Sequence, residues 1–266
     1  MIIEWNHHLF SRDTARYPFH AQAAYRPDAS HLSPDPLADY LAHMDAHGID
    51  RAILVHPEPY GDDHRLVLDS LEREPQRFLG TALFYPKDPD APAKLRRLVA
   101  RQPRIIALRY HALRGKTQYL DSFSDVGVVA LWESAAELGL WIELHIGPDF
   151  AAQIVPLVER FPNTPVLIDH LAEPHTGTGV EFADVLALAE YKNVYMKLSG
   201  LNHFASDSPL YTSALAFTRW VADAFGPQRL VWGSGTPGIV DAHLAHFSEA
   251  ERALVKGGTL AKLLPW

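Results

Sequence analysis

Short apolar runs alternate with amphipathic segments along the whole chain. Eight of the runs have the length and apolar character of buried strands. They are Met1–Trp5, Arg51–His56, Phe78–Tyr85, Ile105–His111, Leu140–Ile146, Val166–His170, Val194–Leu198 and Leu230–Trp232. Between the runs lie segments in which apolar residues recur every three or four positions, the period of a helix that buries one face. These segments are Pro36–His47, Arg65–Glu74, Ala91–Arg101, Val128–Leu138, Phe150–Phe161, Val180–Leu188 and Tyr211–Phe225.

The repeated order of strand and helix predicts parallel strands covered by helices. Eight such units favour a closed (β/α)8 TIM barrel, with an open doubly wound sheet as the alternative. No Gly-x-Gly-x-x-Gly motif follows the first strand, which argues against the dinucleotide-binding version of the open sheet. The 266 residues fit one domain that spans 1–266, because barrels of this kind reach about 250 residues as a single unit.

One segment, residues 10–33, interrupts the alternation. It is long, polar and turn-rich, and it carries the aromatic residues Tyr17, Phe19 and Tyr25. Loops of this length inside a compact domain are usually functional when they are ordered. In a barrel, the loop after the first strand leaves the carboxyl end of that strand, where active sites lie. We therefore expect 10–33 to cover that face, with its aromatic residues mainly in packing roles.

Composition narrows the possible partners. The chain carries 24 Lys and Arg against 32 Asp and Glu, a formal charge of −8, and so lacks the positive excess that favours nucleic-acid binding. No apolar run approaches the ~20 residues that span a membrane, and the first residues lack the pattern of a signal peptide. Because there is no cysteine, disulfides and thiolate metal ligands are excluded. We expect a cytoplasmic protein that acts on a small molecule, with a homo-oligomer left open.

Histidine is unusually frequent, with 15 residues, and it concentrates with other polar residues where the predicted strands end. The polar residues at strand ends are Asn6, His8, His56, Arg109, His111, Glu143, His145, Asp169, His170, Glu173, Lys197 and Ser199. Because side chains two residues apart share one face of a strand, Asn6 and His8 point to one place while His7 points away. A single histidine at a strand end is usually structural, but several at the same end of successive strands favour a site. Asp169 is expected to face the helix layer or to cap a turn, because His170 takes the inward direction.

Several motifs in register resemble one enzyme family. The pieces "IALRYH", "GLWIELHIGP", "VLIDHLAEP", "VYMKLSGL" and "RLVWGSGTP" fall on predicted strands four to eight in order, and the stretch from Met44 to Pro86 covers strands two and three. Over nearly its whole length, the chain resembles the amidohydrolase-related group of metal-dependent hydrolases on TIM barrels. This group includes sugar lactonases and the 2-pyrone-4,6-dicarboxylate lactonase.

The family pattern implies a metal site at the barrel mouth. It has a His-x-His pair after strand one, a histidine after each of strands five and six, and an aspartate after strand eight. Carried over by position, these fall on Asn6, His8, His145, His170 and Gly235. The implied ligands of one divalent ion, Zn²⁺ or Mn²⁺, are Asn6, His8, His145 and His170. Such an ion would make hydroxide available near neutral pH, but some lactonases of the group work without metal, so a metal-independent site is the alternative.

The resemblance implies a hydrolase that opens a lactone or a related carboxylate-bearing ester. The candidate catalytic residues are His145, His170, Glu143 and Glu173. The candidate substrate-binding residues are Arg109, His111, Lys197, His56 and Tyr25. Of these, Arg109 and Lys197 would bind a substrate carboxylate.

Two positions depart from the family pattern. Asn6 replaces a histidine, and Gly235 replaces the aspartate that takes a proton from the attacking water. The candidates to replace this base are Glu143, Glu173 and His56. The departures leave two other functions open: a decarboxylase, which needs no hydroxide, and a binding homologue that has lost catalysis.

Overall fold

Residues 1–112 and 119–266 are described by the computed structural model. The strands are β1 (Ile3–His7), β2 (Arg51–Leu54), β3 (Phe78–Leu83), β4 (Ile105–Ala112), β5 (Trp141–Ile146), β6 (Val166–Ile168), β7 (Val194–Leu198) and β8 (Leu230–Trp232). Each strand pairs in parallel with the next one along the chain, from β1 to β8 in order. This order confirms the predicted single-domain (β/α)8 TIM barrel and excludes the doubly wound sheet, in which the strand order reverses.

The ring of strands is nearly closed, with β8 next to β1 and a glycine directly after β8. A Cβ atom on Gly233 would lie 2.2 Å from the carbonyl oxygen of Trp5, so only a residue without a side chain lets the two backbones approach this closely. The next residue, Ser234, donates its backbone N–H to Glu4 Oε1 at 3.2 Å. The glycine-rich end of β8 therefore joins the last strand to the first.

Helices cover the outside of the barrel. They are α1 (Pro36–His47), α2 (Arg65–Arg73), α3 (Ala91–Arg101), α4 (Val126–Glu137), α5 (Ala151–Arg160), α6 (Gly179–Ala187) and α7 (Leu215–Phe225). Three short helices that the sequence pattern did not predict follow β8. They are α8 (Gly238–His243), α9 (Glu249–Ala253) and α10 (Thr259–Leu263). Within the described part of the chain, every helix is too short or too polar to cross a membrane.

Local sequence sets the helix bounds. The α1 helix begins after Asp35, whose side chain accepts the backbone N–H of Ala38 at 3.1 Å, and it ends at Gly48, which has a φ of +65°. The α7 helix begins at Leu215 rather than at the predicted Tyr211. Tyr211 has a φ of +53°, which is incompatible with a right-handed helix.

Apolar side chains fill the barrel toward the amino ends of the strands. Ile3 and Trp5 of β1 belong to a buried cluster there with Leu79, Trp141 and Val231 of other strands. The rings of Trp5 and Trp141 lie 5.3 Å apart. A second and larger apolar core lies between the strands and the helices. Polar side chains that face the barrel interior are therefore confined to the carboxyl ends, where barrel enzymes have their active sites.

The long segment 10–33 packs against α2 and the loop that follows β2. Tyr17 donates a hydrogen bond to Asp69 at 2.7 Å, and the ring centroids of Phe19 and Tyr60 lie 5.0 Å apart. These contacts confirm the expected packing role for two of its aromatic residues.

Candidate active site

Four charged side chains form a buried layer directly above the apolar interior. They come from β4, β5, the end of β6 and β7, and they are Arg109, Glu143, Asp169 and Lys197. The Lys197 ammonium contacts Glu143 Oε1 and lies 2.6 Å from Asp169 Oδ1. Arg109 donates to Asp169 Oδ2 from Nη2 at 2.9 Å and from Nε at 3.1 Å. Two cations therefore balance two carboxylates, which is a condition for burying such groups at tolerable cost.

The two carboxyl groups of this layer differ in their protonation. Burial raises the pKa of Glu143 to about 7, although the Lys197 cation acts in the opposite direction. Burial also acts to raise the pKa of Asp169, but Lys197 and Arg109 together outweigh it and hold that pKa well below its ordinary value. Asp169 is therefore ionised at neutral pH, whereas Glu143 is close to its midpoint.

The expectation that Asp169 faces the helix layer was wrong. Leu167 of β6 points into the barrel, so the alternation of a strand brings Asp169 inside as well. His170 also reaches the interior because it no longer follows strand geometry. The error came from extending the strand alternation one residue too far.

A left-handed turn follows β6 directly. Its four residues, His170–Glu173, have φ values of +53°, +55°, +59° and +49°, and none of them is glycine. Such a conformation costs about 1–2 kcal/mol for each residue, and strain of this kind is typical of functional sites. Gly200 leaves room for the turn, since a Cβ atom there would lie 2.6 Å from the His170 ring. The turn thereby brings the side chains of His170 and Glu173 to the barrel mouth.

Glu173 holds two imidazoles at once. His145 accepts a hydrogen bond from Arg109 Nη2 on Nδ1 at 3.3 Å, so its proton is on Nε2, which donates to Glu173 Oε1 at 2.9 Å. His203 Nδ1 donates to the same carboxylate, at 2.8 Å from Oε1 and 3.0 Å from Oε2. Burial acts to raise the pKa of Glu173, but the hydrogen bonds from His145 and His203 lower it to about 2. Glu173 is therefore an anion that fixes the orientation of both rings.

A cavity of about 420 Å³ opens above the charged layer. The predicted site residues that line it are Asn6, His8, Tyr25, Arg109, His111, His145 and His170. Burial lowers the pKa of His8 and of His111 to about 3, and it lowers the pKa values of His145 and His170 well below the ordinary range. These imidazoles are therefore neutral at pH 7.

As expected, His7 points away from the cavity and stacks on Tyr40 of α1, with ring centroids 3.3 Å apart.

Four of the predicted site residues lie outside this cavity. Glu143 and Lys197 belong to the charged layer beneath it, and Glu173 lies behind the rings that it orients. His56 is buried to one side, where its Nε2 lies 2.8 Å from the carbonyl oxygen of Gly61. Because Lys197 is fully buried between two acids, its geometry does not favour the expected direct contact with a substrate carboxylate.

A family model for amidohydrolases matches residues 3–262. The chain belongs to the amidohydrolase family. One curated relative is 4-sulfomuconolactone hydrolase of Rhizobium radiobacter, 29% identical over 241 residues, with 88% of this chain and 75% of the relative covered. Another is L-fucono-1,5-lactonase of Burkholderia ambifaria, 29% identical over 249 residues, with 91% and 80% covered. The resemblance seen in the sequence motifs is thereby confirmed.

Solved structures share the barrel with this amidohydrolase. One from Pseudomonas putida, assigned as a 2-pyrone-4,6-dicarboxylic acid hydrolase, has a TM-score of 0.75 at 24% identity, with 99% of this chain and 98% of that chain covered. An amidohydrolase from Burkholderia multivorans with bound zinc gives 0.76 at 20% identity, with 100% of both chains covered. At these identities the likeness establishes the fold, and the site must be judged from the residues of this chain.

A metal ion in this amidohydrolase would have to bind groups that are already engaged. His145, Asp169 and His170 bring ligand-type atoms within 4.8 Å of one another, so a cluster of potential ligands exists. However, both ring nitrogens of His145 are hydrogen-bonded, and Asp169 is paired with Arg109 and Lys197. A divalent ion would have to break the His145 contacts and compete with two fixed cations.

The other implied ligands are committed or missing. His8 Nδ1 lies 2.8 Å from the carbonyl oxygen of Val55, and Asn6 Oδ1 lies 3.5 Å from Lys197 Nζ. Gly235 has no side chain and offers neither a ligand nor a base. As they are arranged, the residues of this amidohydrolase do not fit a divalent ion, and the Lys197 ammonium places a positive charge beside Asn6 instead.

Sequence reasoning missed four residues whose polar side chains line the cavity. They are Glu58, Asn202, His203 and Ser234. Glu58 and His203 lie in short turns, Glu58–Tyr60 and Leu201–His203, that follow β2 and β7 by a few residues. A search that had extended four or five residues beyond each strand would have included both of them.

Proposed function

We propose that this amidohydrolase hydrolyses a lactone and that His203 is the base that takes a proton from the attacking water. The observation that carries the proposal is the hydrogen bond from His203 Nδ1 to Glu173. It leaves Nε2 as the acceptor on a ring that lines the cavity. A carboxylate that orients an imidazole in this way is a recurrent arrangement for general-base catalysis. The names of both curated relatives describe hydrolases of lactones, which supports the same reaction here.

The proposed reaction has two proton transfers. Water attacks the lactone carbonyl carbon while His203 Nε2 takes its proton, and the imidazolium that forms is stabilised by the Glu173 anion. The ring C–O bond then breaks, and His203 returns the proton to the leaving oxygen, so the product is a hydroxy acid. His170 lies 2.8 Å from the Ser199 hydroxyl through Nδ1. With that hydroxyl as donor, the ring proton of His170 is on Nε2, which can donate a hydrogen bond to the carbonyl oxygen as negative charge develops there.

The three candidates for the base named from the sequence are less suitable than His203. Glu173, with a pKa of about 2, is a weak base, and it already accepts hydrogen bonds from two imidazoles. Glu143 lies in the charged layer beneath the cavity, and His56 lies to one side of it. We assign Glu173 and His145 to the positioning of His203 and Glu143 to the charge balance of the layer.

The proposed hydrolysis uses no divalent ion. The positive charge that polarises the site comes from Arg109, which lines the cavity, and from Lys197 beneath it. An inactive binding homologue is less well supported, because His203, oriented by Glu173, is a base that can replace the family aspartate missing at Gly235. A decarboxylase is also less well supported, since the curated relatives hydrolyse lactones according to their names.

The test is an assay of purified protein on sugar lactones, muconolactones and pyrone dicarboxylate lactones, with acid release as the readout. His203→Gln is expected to lower kcat by about 100-fold or more, the range for a lost general base, while KM changes little. The control is His175→Gln, since His175 lies 3.7 Å from Glu173 but does not line the cavity. No hydrolysis of any lactone, carbon dioxide release from an aromatic acid, or full activity of His203→Gln would each refute the proposal.

A further inference from the structure

The cavity contains one carboxylate that neither the charged layer nor the proposed reaction uses. Glu58 is the first residue of the turn after β2, its side chain lines the cavity, and it is only 1% exposed. Its Oε1 atom accepts two hydrogen bonds, from the hydroxyl of Tyr119 and from the backbone N–H of Ala24, both at 2.6 Å. These two donors fix the carboxylate in one orientation.

The second oxygen of Glu58 has no partner among the described residues. Oε2 is buried, and it makes no hydrogen bond to any residue in 1–112 or 119–266. Leaving a buried acceptor unsatisfied costs about 1–3 kcal/mol and more for a charged group, so such an atom calls for an explanation. A donor on a bound ligand would satisfy it.

The two cations of the charged layer are engaged by other acids. Arg109 is held by Asp169, and Lys197 is held by Glu143 and Asp169. An anionic substituent placed against Oε2 would be repelled by the Glu58 carboxylate, and the charges of Arg109 and Lys197 are already balanced by other acids. A hydroxyl group has the opposite preference, because it can donate directly to a carboxylate oxygen.

We propose that Glu58 selects the substrate by accepting a hydrogen bond from a substrate hydroxyl on Oε2, so that the preferred lactone is polyhydroxylated. This inference rests on the proposed lactone hydrolysis and narrows its substrate class. It also places the hydroxyl-bearing part of the substrate beside Tyr25, which follows Ala24 in the chain, lines the cavity and is 43% exposed. An aromatic ring in that position can pack on the carbon skeleton of a sugar.

The test compares three lactones on the wild-type protein and on Glu58→Gln. They are a sugar 1,5-lactone, unsubstituted δ-valerolactone and a carboxylate-bearing muconolactone. We expect the wild type to prefer the sugar lactone. Glu58→Gln should raise KM for it about 10-fold or more, because a hydrogen bond to a charged group contributes roughly 1.5–3 kcal/mol. KM for δ-valerolactone, which has no hydroxyl to donate to Oε2, should change much less than KM for the sugar lactone. Glu159→Gln, on the surface beside Tyr191, is the matched control.

Binding measurements separate the failure of this inference from the failure of the proposed function. Calorimetry with a polyhydroxylated δ-lactam and with plain δ-valerolactam reports on Glu58 even if no lactone is hydrolysed. Weaker binding of only the hydroxylated lactam to Glu58→Gln supports the inference. Equal loss for both ligands, or preference of the wild type for the carboxylate-bearing lactone, would overturn it.

Discussion

Replacing Lys197 with methionine tests whether the charged layer stabilises the barrel in the way its geometry indicates. The substitution keeps most of the side-chain volume and removes the ammonium that Glu143 and Asp169 share. Asp169 retains both hydrogen bonds from Arg109. Glu143 retains only Arg109 Nε at 4.0 Å, which is beyond hydrogen-bond distance. Glu143 is therefore the carboxylate that is left without a cation within hydrogen-bond distance.

The expected loss of stability is large. Removing one partner of a fully buried ion pair costs about 3–5 kcal/mol. For a domain of this size each kcal/mol lowers the Tm by roughly 2–4 °C, so Lys197→Met should lower it by about 6–20 °C. Adding Glu143→Gln to Lys197→Met removes the uncompensated carboxylate, and the double variant should regain more than half of the loss.

The loss should also depend on pH with a definite sign. The pKa of Glu143 is raised in the folded state, from 4.5 to about 7, so the folded protein binds a proton that the unfolded chain has released between these values. Stability from this group therefore falls as pH rises through that window. Since Lys197 acts to lower the pKa of Glu143, its removal extends the fall to higher pH. The deficit of Lys197→Met should be smaller at pH 6 than at pH 8.5.

Chemical denaturation of the wild type, Lys197→Met and the double variant at pH 6 and pH 8.5 measures all three effects. Circular dichroism at each pH verifies that the single variant is folded before denaturant is added. The reasoning is refuted if the single variant is as stable as the wild type at pH 8.5, if its deficit is equal at both pH values, or if Glu143→Gln adds a further loss.

Two other predictions concern the turn after β6 and the proposal that hydrolysis needs no metal ion. Gly200→Ala should lower kcat at least 10-fold, because the new Cβ atom would lie 2.6 Å from the His170 ring. The control is Gly48→Ala, since Gly48 has a similar positive φ but no atom within 4 Å of the position of a Cβ. This control should lose only about 1–2 kcal/mol of stability and keep its kcat. Equal effects of the two alanines on kcat would contradict this. Dialysis against a chelator should leave lactone hydrolysis unchanged. Elemental analysis should find well under one zinc or manganese ion per chain. Loss of activity that added zinc restores would contradict the proposal that the site works without a metal.

The barrel could be predicted from the sequence because its determinants are local. Each strand is a short apolar run, each long helix has its own period of three to four residues, and chain order alone sets the order of parallel strands. The short helices after β8 were missed because five or six residues give too little periodicity to recognise. The start of α7 was misplaced because the positive φ of Tyr211 is imposed by its surroundings and has no signal in its residue type.

The site was less predictable because its geometry depends on departures from regular structure. Strand alternation correctly brought Asn6, His8, Arg109 and His145 to one end of the barrel. It failed at His170, where a left-handed turn without glycine begins after β6, and the prediction for Asp169 was wrong for that reason. It could not find Glu58 or His203 because their side chains reach the cavity from turns beyond the strands.

The surroundings of positions 6 and 235 give a physical account of why these two family residues differ in this chain. Asn6 offers a metal only a neutral amide oxygen in place of an imidazole nitrogen, and a lysine from β7 brings its ammonium to 3.5 Å from that oxygen. A histidine at position 6 would face that ammonium and would have to remain neutral. Gly235 removes the usual base, and the proposed base, His203, lies after β7. Under the proposed mechanism, the losses of both family groups are linked. Fixed protein cations take the place of the bound ion, and an oriented imidazole takes the place of the carboxylate that activates water.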